Sequence, residues 1–165
     1  MLITFLICCV LIVSIITLLT IRTLKKNLSS KVIIASFKKT YMKTGLPIIY
    51  VTLKDKKQYA FIVDTGANAN IISSEVLKQV FPNNKTVSAS NISHINGVET
   101  DMQKTNFVFT INKHSFKETF IITEFTDAYS IINQNGNVDI AGILGAKFLN
   151  KYDLKIIFKN YTLTK

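Results

Sequence analysis

The chain has 165 residues, the length of one domain with little left over for a second. It is 48% hydrophobic and 18% charged, which excludes wholesale disorder and suits a folded domain carrying an extra apolar segment. The net charge of +10 comes from lysines scattered in ones and twos, with no long basic run interleaved with aromatics, so nucleic acid is not an expected partner.

Leu2 to Ile21 carries no charge, and its hydroxyl residues are only Thr4, Ser14, Thr17 and Thr20. About 20 apolar residues, rising about 1.5 Å each, span the hydrocarbon core of a bilayer, so residues 1–21 are expected to be a transmembrane anchor. A cleaved signal peptide would show a positive n-region, a shorter apolar core and a small-residue cleavage site. Those features are missing, which favours an uncleaved anchor. Arg22, Lys25, Lys26, Lys31, Lys38, Lys39 and Lys43 follow the apolar segment. Positive residues are retained on the cytoplasmic side, so the expected topology is single-pass with the following domain in the cytoplasm. Export to the periplasm or cell surface is the alternative. Cys8 and Cys9 are adjacent within the apolar segment, so no disulfide framework is expected and the redox compartment is not legible.

Residues 22–43 read as a basic juxtamembrane linker, helical in part around Leu28 to Phe37, and Thr44-Gly45-Leu46-Pro47 breaks it. The domain proper is expected at residues 44–165. Ile48 to Leu53 and Tyr59 to Val63 are strand-like runs joined by the polar turn Asp55-Lys56-Lys57, which predicts a hairpin. Ile71 to Phe81 reads as a short helix with Ser73 as its N-cap and Pro82 beyond its end. Thr105 to Ile111 alternates, with Phe107, Phe109 and Ile111 on one face, and Ser115 to Thr123 follows it as a second strand. Asp127 to Val138 is a polar, Asn-rich connection. Asp139 to Leu144 is apolar and ends at Gly145, and a short helical piece runs on to Asn150. Leu154 to Phe158 and Tyr161 to Leu163 flank Lys159-Asn160 as a closing hairpin. Many short strands with one or two short helices predict an all-β domain.

The chemistry concentrates at Phe61-Ile62-Val63-Asp64-Thr65-Gly66-Ala67, where an apolar strand runs straight into a carboxylate. A lone buried carboxylate is costly, and a glycine two residues later lets other groups approach the turn. As three letters, Asp-Thr-Gly is a weak signal, and a simple turn capped by Asp64 is the bland alternative.

The surrounding pattern resembles the retropepsin-like aspartic peptidases. A hairpin leads into Asp64-Thr65-Gly66-Ala67, and Asn68 to Ile72 resembles the exit from the catalytic loop. Ser93-His94-Ile95-Asn96-Gly97-Val98 falls where that family has its flap. Val138-Asp139-Ile140-Ala141-Gly142-Ile143-Leu144-Gly145 resembles the second signature, and it follows the first by about 80 residues. Residues Ala146 to Asn150 match the family's short helix, and Tyr152 to Leu163 its terminal hairpin.

The resemblance implies an acid-protease fold, a closed β-barrel with one lobe per chain, and a peptide-bond hydrolase working without metal or cofactor. It implies that Asp64, Thr65 and Gly66 are catalytic, that Ala67, Asn68, Ile95, Asn96, Gly97 and Val98 contact a protein or peptide substrate, and that Gly142, Ile143, Leu144 and Gly145 pack beneath the catalytic loop. Such enzymes place a water between two aspartates, one acting as base and the other as acid. Asp55, Asp101, Asp127, Asp139 and Asp153 lack a following Thr-Gly or Ser-Gly, so the second aspartate is expected from a second copy in a homodimer. Relatives often carry Ile-Asp-Phe where this chain has Ile156-Ile157-Phe158, and the flap has one clear glycine. Retroviral enzymes seal their dimer by pairing chain termini in a shared sheet; whether Thr162-Leu163-Thr164-Lys165 does so is open. His94 and His114 stand apart with no cysteine near, and no phosphate-loop, dinucleotide or Gly-x-Ser-x-Gly pattern is present. The alternatives are a peptide-binding or scaffold module of the same fold that does not cut, and an unrelated β domain at a membrane.

Overall fold

The computed structural model describes residues 13–21, 31–83, 85–88, 92–94, 97–99, 102–125 and 137–165. The chain divides into two units, Met1–Val32 and Ile33–Lys165.

In the first unit, residues 13–21 form helix α1. Its apolar side chains, among them Val13, Ile16 and Leu19, are more than half exposed. The Thr17 hydroxyl donates to the Val13 carbonyl at 2.6 Å and the Thr20 hydroxyl to that of Ile16 at 3.0 Å. The polar atoms of these threonines are thus bound to their own helix, and the outer surface stays apolar. Among the described residues no helix is long and apolar enough to cross a membrane. Most of the expected anchor, residues 1–12, lies outside the described residues.

The second unit holds β1 (Ile33–Ser36), α2 (Lys38–Thr44), β2 (Ile48–Thr52), β3 (Gln58–Asp64), β4 (Asn70–Ser73) and α3 (Ser74–Val80). These are followed by β5 (Thr86–Ser88), β6 (Ile92–His94), β7 (Gly97–Glu99), β8 (Gln103–Ile111), β9 (His114–Thr123), β10 (Ile140–Gly145), α4 (Ala146–Lys151), β11 (Lys155–Ile157) and β12 (Thr162–Thr164). The main sheet runs β2-β3-β10-β4-β9-β8-β5. β2, at one end, also meets β8, one strand in from the other end, at the single residue pair Thr52 with Thr110, and not through a continuous ladder as a fully closed barrel would have. A second sheet runs β1-β12-β11, and β6 pairs with β7 as a two-stranded hairpin.

The alternation in β8 has the expected result: Thr105, Phe107, Phe109 and Ile111 point inward and the residues between them outward or partly so. Phe107 stacks on Phe120 of β9 with ring centroids 4.2 Å apart, and Phe61, Phe109, Phe116 and Phe148 extend this aromatic core. A second cluster, on the other side of β3 and β10, joins Ile48, Ala60, Ile62, Val138 and Ile143.

Two expectations fail locally. The helix foreseen from Ile71 begins three residues later, because Asn70–Ser73 is a strand held between β10 and β9. The β-branched pair Ile71-Ile72 satisfies either periodicity, and the open ladders on both sides decide for the strand. Ser73 does precede α3, but its side chain makes no capping hydrogen bond. The partial helix expected around Leu28 to Phe37 is, at Ile33–Ser36, strand β1 paired to β12, with helix following only at Lys38. Residues 28–30 lie outside the described residues, as do 126–136 of the Asn-rich connection. Segment 33–43, read as linker, is therefore part of the folded unit: the Phe37 N–H donates to the Tyr161 carbonyl at 2.9 Å, and the Phe37 side chain is buried.

Candidate active site

Three strands position the candidate loop. β3 pairs antiparallel with β2 and parallel with β10, so it is held along both edges, and Asp64 is its last residue. The entry is pinned where the Val63 N–H donates to the Pro47 carbonyl at 2.9 Å. Beyond Asp64 the chain turns sharply. The Gly66 N–H donates to Asp64 Oδ1 at 2.8 Å, and this bond fixes the rotation of the carboxyl. Asp64 is partly buried, and Thr65 and Gly66 are exposed at the tip.

The second signature lies against the first. In the β3–β10 register, Leu144 faces Val63 and Gly145 faces Asp64. Across the other edge of β10, Gly142 faces Ile72 and Ile143 faces Ile71 of β4. The signature thus fills the gap between the strand that enters the loop and the strand that leaves it. Its glycines serve close packing. A Cβ at Gly142 would collide with the Phe61 ring and lie 2.5 Å from the Ile71 carbonyl oxygen. A Cβ at Gly145 would lie 2.5 Å and 2.6 Å from the carbonyl oxygens of Ala69 and Ala67. Leu144 is buried in the main core and Ile143 in the second cluster, as alternation along β10 requires.

Asn70 is the residue that sequence reasoning passed over. It is 3% exposed, and both ends of its amide are engaged. Its Oδ1 accepts from the Gly145 N–H at 3.0 Å, and its Nδ2 donates to the Thr119 carbonyl at 3.2 Å. The Ala146 N–H donates to the Ala67 carbonyl at 2.8 Å. The exit of the loop is therefore tied to the second signature by one side-chain bond and one backbone bond. The available signal was an amide entering an apolar strand, Asn70-Ile71-Ile72, because a buried amide needs partners.

Asp64 and Thr65 open on a cavity of about 840 Å³. Leu46, Pro47, Ile143, Leu149, Ile156 and Phe158 are among the apolar residues that line it. The structure thus gathers Asp64, Thr65, Gly66, Ala67 and Asn68 with Gly142 to Gly145. The expected flap is a hairpin in its backbone: Ser93 faces Val98 and His94 faces Gly97. Ile95 and Asn96 lie outside the described residues. Among the described residues no group of three or more metal-ligating side chains is found.

The family model for retroviral aspartyl proteases matches residues 43–157. No curated protein matches the sequence. Among solved structures, the fold is similar to that of the EIAV protease complexed with the inhibitor HBY-793. That likeness has a TM-score of 0.51 at 14% identity and covers 68% of this chain and 93% of that one. A retropepsin-like aspartic protease from Rickettsia conorii is similar at a TM-score of 0.51 and 18% identity, over 82% of this chain and 89% of that one. Identities this low speak for the fold alone. The family match runs through both signatures and covers well over half of the sequence, and on that ground the chain belongs to the retroviral aspartyl protease family.

Proposed function

We propose that the chain is an aspartic endopeptidase whose active unit is a homodimer, with one Asp64 from each copy. The observation that carries this reading is the placement of Asp64 at the mouth of an apolar cavity, with its carboxyl turned by the Gly66 N–H and its strand locked against Gly145. A carboxyl so held can meet its counterpart in a second copy without rearrangement of the loop.

In this reading the two carboxyls hold one water and share one proton. The ionised carboxylate takes a proton from the water, whose oxygen attacks the scissile carbonyl carbon. The protonated carboxyl gives its proton to the carbonyl oxygen. Collapse of the tetrahedral intermediate returns a proton to the leaving amine and restores the pair. Thr65, exposed beside Asp64, braces one loop against the other. The β6–β7 hairpin closes over an extended peptide, with Ala67, Asn68 and residues 95–98 along the bound backbone.

We also propose that residues 1–21 anchor the enzyme in a membrane by a single pass, with the peptidase unit on the cytoplasmic side. The supporting observations are the charge-free run Leu2 to Ile21, the cationic cluster after it, and the apolar exterior of α1. The substrates would then be proteins at or near that surface.

The test is cleavage of a peptide library by the full chain beside Asp64→Asn. The variant keeps an oxygen for the Gly66 N–H, so the loop keeps its shape while the acid–base pair is lost. Wild-type cleavage that disappears in the variant supports the reading, and cleavage that persists in the variant overturns it.

A further inference from the structure

Charge is unevenly shared along the chain. Of its 20 basic and 10 acidic residues, seven basic ones stand before Gly45 and every acidic one stands after it, the first being Asp55. The larger part of the net charge of +10 therefore lies ahead of Gly45, and α2 belongs to that stretch.

Helix α2 gathers part of this charge on one face. At about 100° per residue, Lys38, Met42, Lys39 and Lys43 fall in that order across an arc of about 140°. All four are exposed, Met42 at 61%. The opposite face is fastened to the fold. The buried Thr40 hydroxyl donates to the Ile48 carbonyl, and the Tyr41 ring packs on Phe37, Phe158 and Tyr161. Among the described residues, the lysines with an acidic partner are Lys151 and Lys155, and not those of α2. A buried back thus holds three cations and a thioether outward as one set. That combination suits an anionic lipid surface, where headgroups take the ammonium groups and the acyl boundary takes the apolar side chain and the lysine stems.

We infer that this face of α2 seats on the anionic headgroups of the membrane that residues 1–21 anchor in. The inference rests on the anchor reading. Residues 22–32 tether that anchor to β1, so the face meets the bilayer at high effective concentration. Each lysine close to an anionic surface favours the seated state about fivefold, and three favour it roughly 100-fold. Seating also sets where the Asp64 cavity stands, because Leu46 and Pro47 of its lining follow α2 closely and Phe158 of its lining packs on Tyr41. The substrate segments within reach are then those that membrane proteins present just outside the bilayer.

The test uses the full chain, with Cys8→Ala and Cys9→Ala as background, in vesicles of phosphatidylcholine alone or of a roughly 2:1 mixture of phosphatidylcholine and phosphatidylserine. A polarity-sensitive dye is attached at Met42→Cys or, as the control, at Val108→Cys, which is exposed on β8. Flotation with the neutral vesicles reports the anchor alone. Shielding of the dye from aqueous acrylamide that needs the anionic lipid reports the seated face. The expected result is shielding at position 42 and little at position 108. It should be lost in about 1 M salt, where the screening length falls to about 3 Å, and in the combined Lys38→Gln, Lys39→Gln and Lys43→Gln variant. Equal quenching at position 42 in both lipids, shielding that survives the three substitutions, or equal shielding at position 108 overturns the inference. A chain that stays out of neutral vesicles while position 42 is shielded on anionic ones upholds the face and counts against the anchor, so the two failures are distinguishable.

Discussion

Gly145 lies directly beside Asp64 in the parallel pairing of β10 with β3, and its missing side chain is what lets the loop exit pass over it. Gly145→Ala would force a methyl group against two backbone oxygens, those of Ala69 and Ala67, which cannot swing away as a side chain can. Overpacking of this kind costs about 3 kcal/mol. The expected outcome is a clear fall in thermal midpoint, together with a loss of cleavage larger than the unfolded fraction accounts for. Thermal unfolding and a rate measured well below the midpoint check the two parts.

Asn70 ties the same glycine to β9. Asn70→Ala leaves the buried Gly145 N–H without its side-chain partner and takes a part-buried donor from the Thr119 carbonyl. The buried loss costs about 1–3 kcal/mol and the part-buried one about 1 kcal/mol. Denaturant unfolding should show destabilisation of about 2–4 kcal/mol, with kcat lowered more than KM is raised, because the bond orients the loop and does not touch substrate. Asn70→Asp keeps the acceptor for Gly145 but buries a carboxylate with one oxygen against the Thr119 carbonyl, so it should be no more stable than Asn70→Ala.

The turn that feeds β3 has a titratable lock. The Tyr59 hydroxyl donates to Asp55 Oδ2 at 2.7 Å. Burial, the hydrogen bond to Asp55 and its negative charge together push the Tyr59 pKa up to about 12. A group whose pKa is raised on folding adds stability below its unfolded value and loses it as pH climbs through the folded one. The lock is thus intact below the ordinary tyrosine value of 10.0 and is lost toward about 12. Tyr59→Phe should lower stability at neutral pH by the share the lock contributes, and it should flatten the fall above the ordinary tyrosine value because no hydroxyl is left to titrate. Chemical denaturation between pH 8 and pH 12 measures it.

Legibility in the sequence followed the physics of each element. The strands around Asp64 and Phe107 were legible because strict alternation or an unbroken β-branched run leaves one period to choose. The two signatures were legible because carboxylate, turn and glycine each have a separate reason to stand where they do. β4 was misread because Ile71 and Ile72 suit a helix as well as a strand, and only β9 and β10, distant in sequence, decide. β1 was hidden because Ile33 to Ser36 is too short, among lysines, to signal a strand without its partner β12. Asn70 was passed over because its value lies wholly in two contacts with residues 49 and 75 positions away.

The central claim, that catalysis needs an Asp64 from each of two chains, is tested most directly by mixing. A fixed amount of full-length wild type is exchanged with increasing Asp64→Asn chain, and peptide cleavage is measured. The variant alone should be inactive. With equal amounts and random pairing, half of the wild-type chains carry an inactive partner, so activity should fall to about half and continue toward zero with excess variant. Cleavage by the variant alone, or wild-type activity indifferent to its excess, would contradict the account.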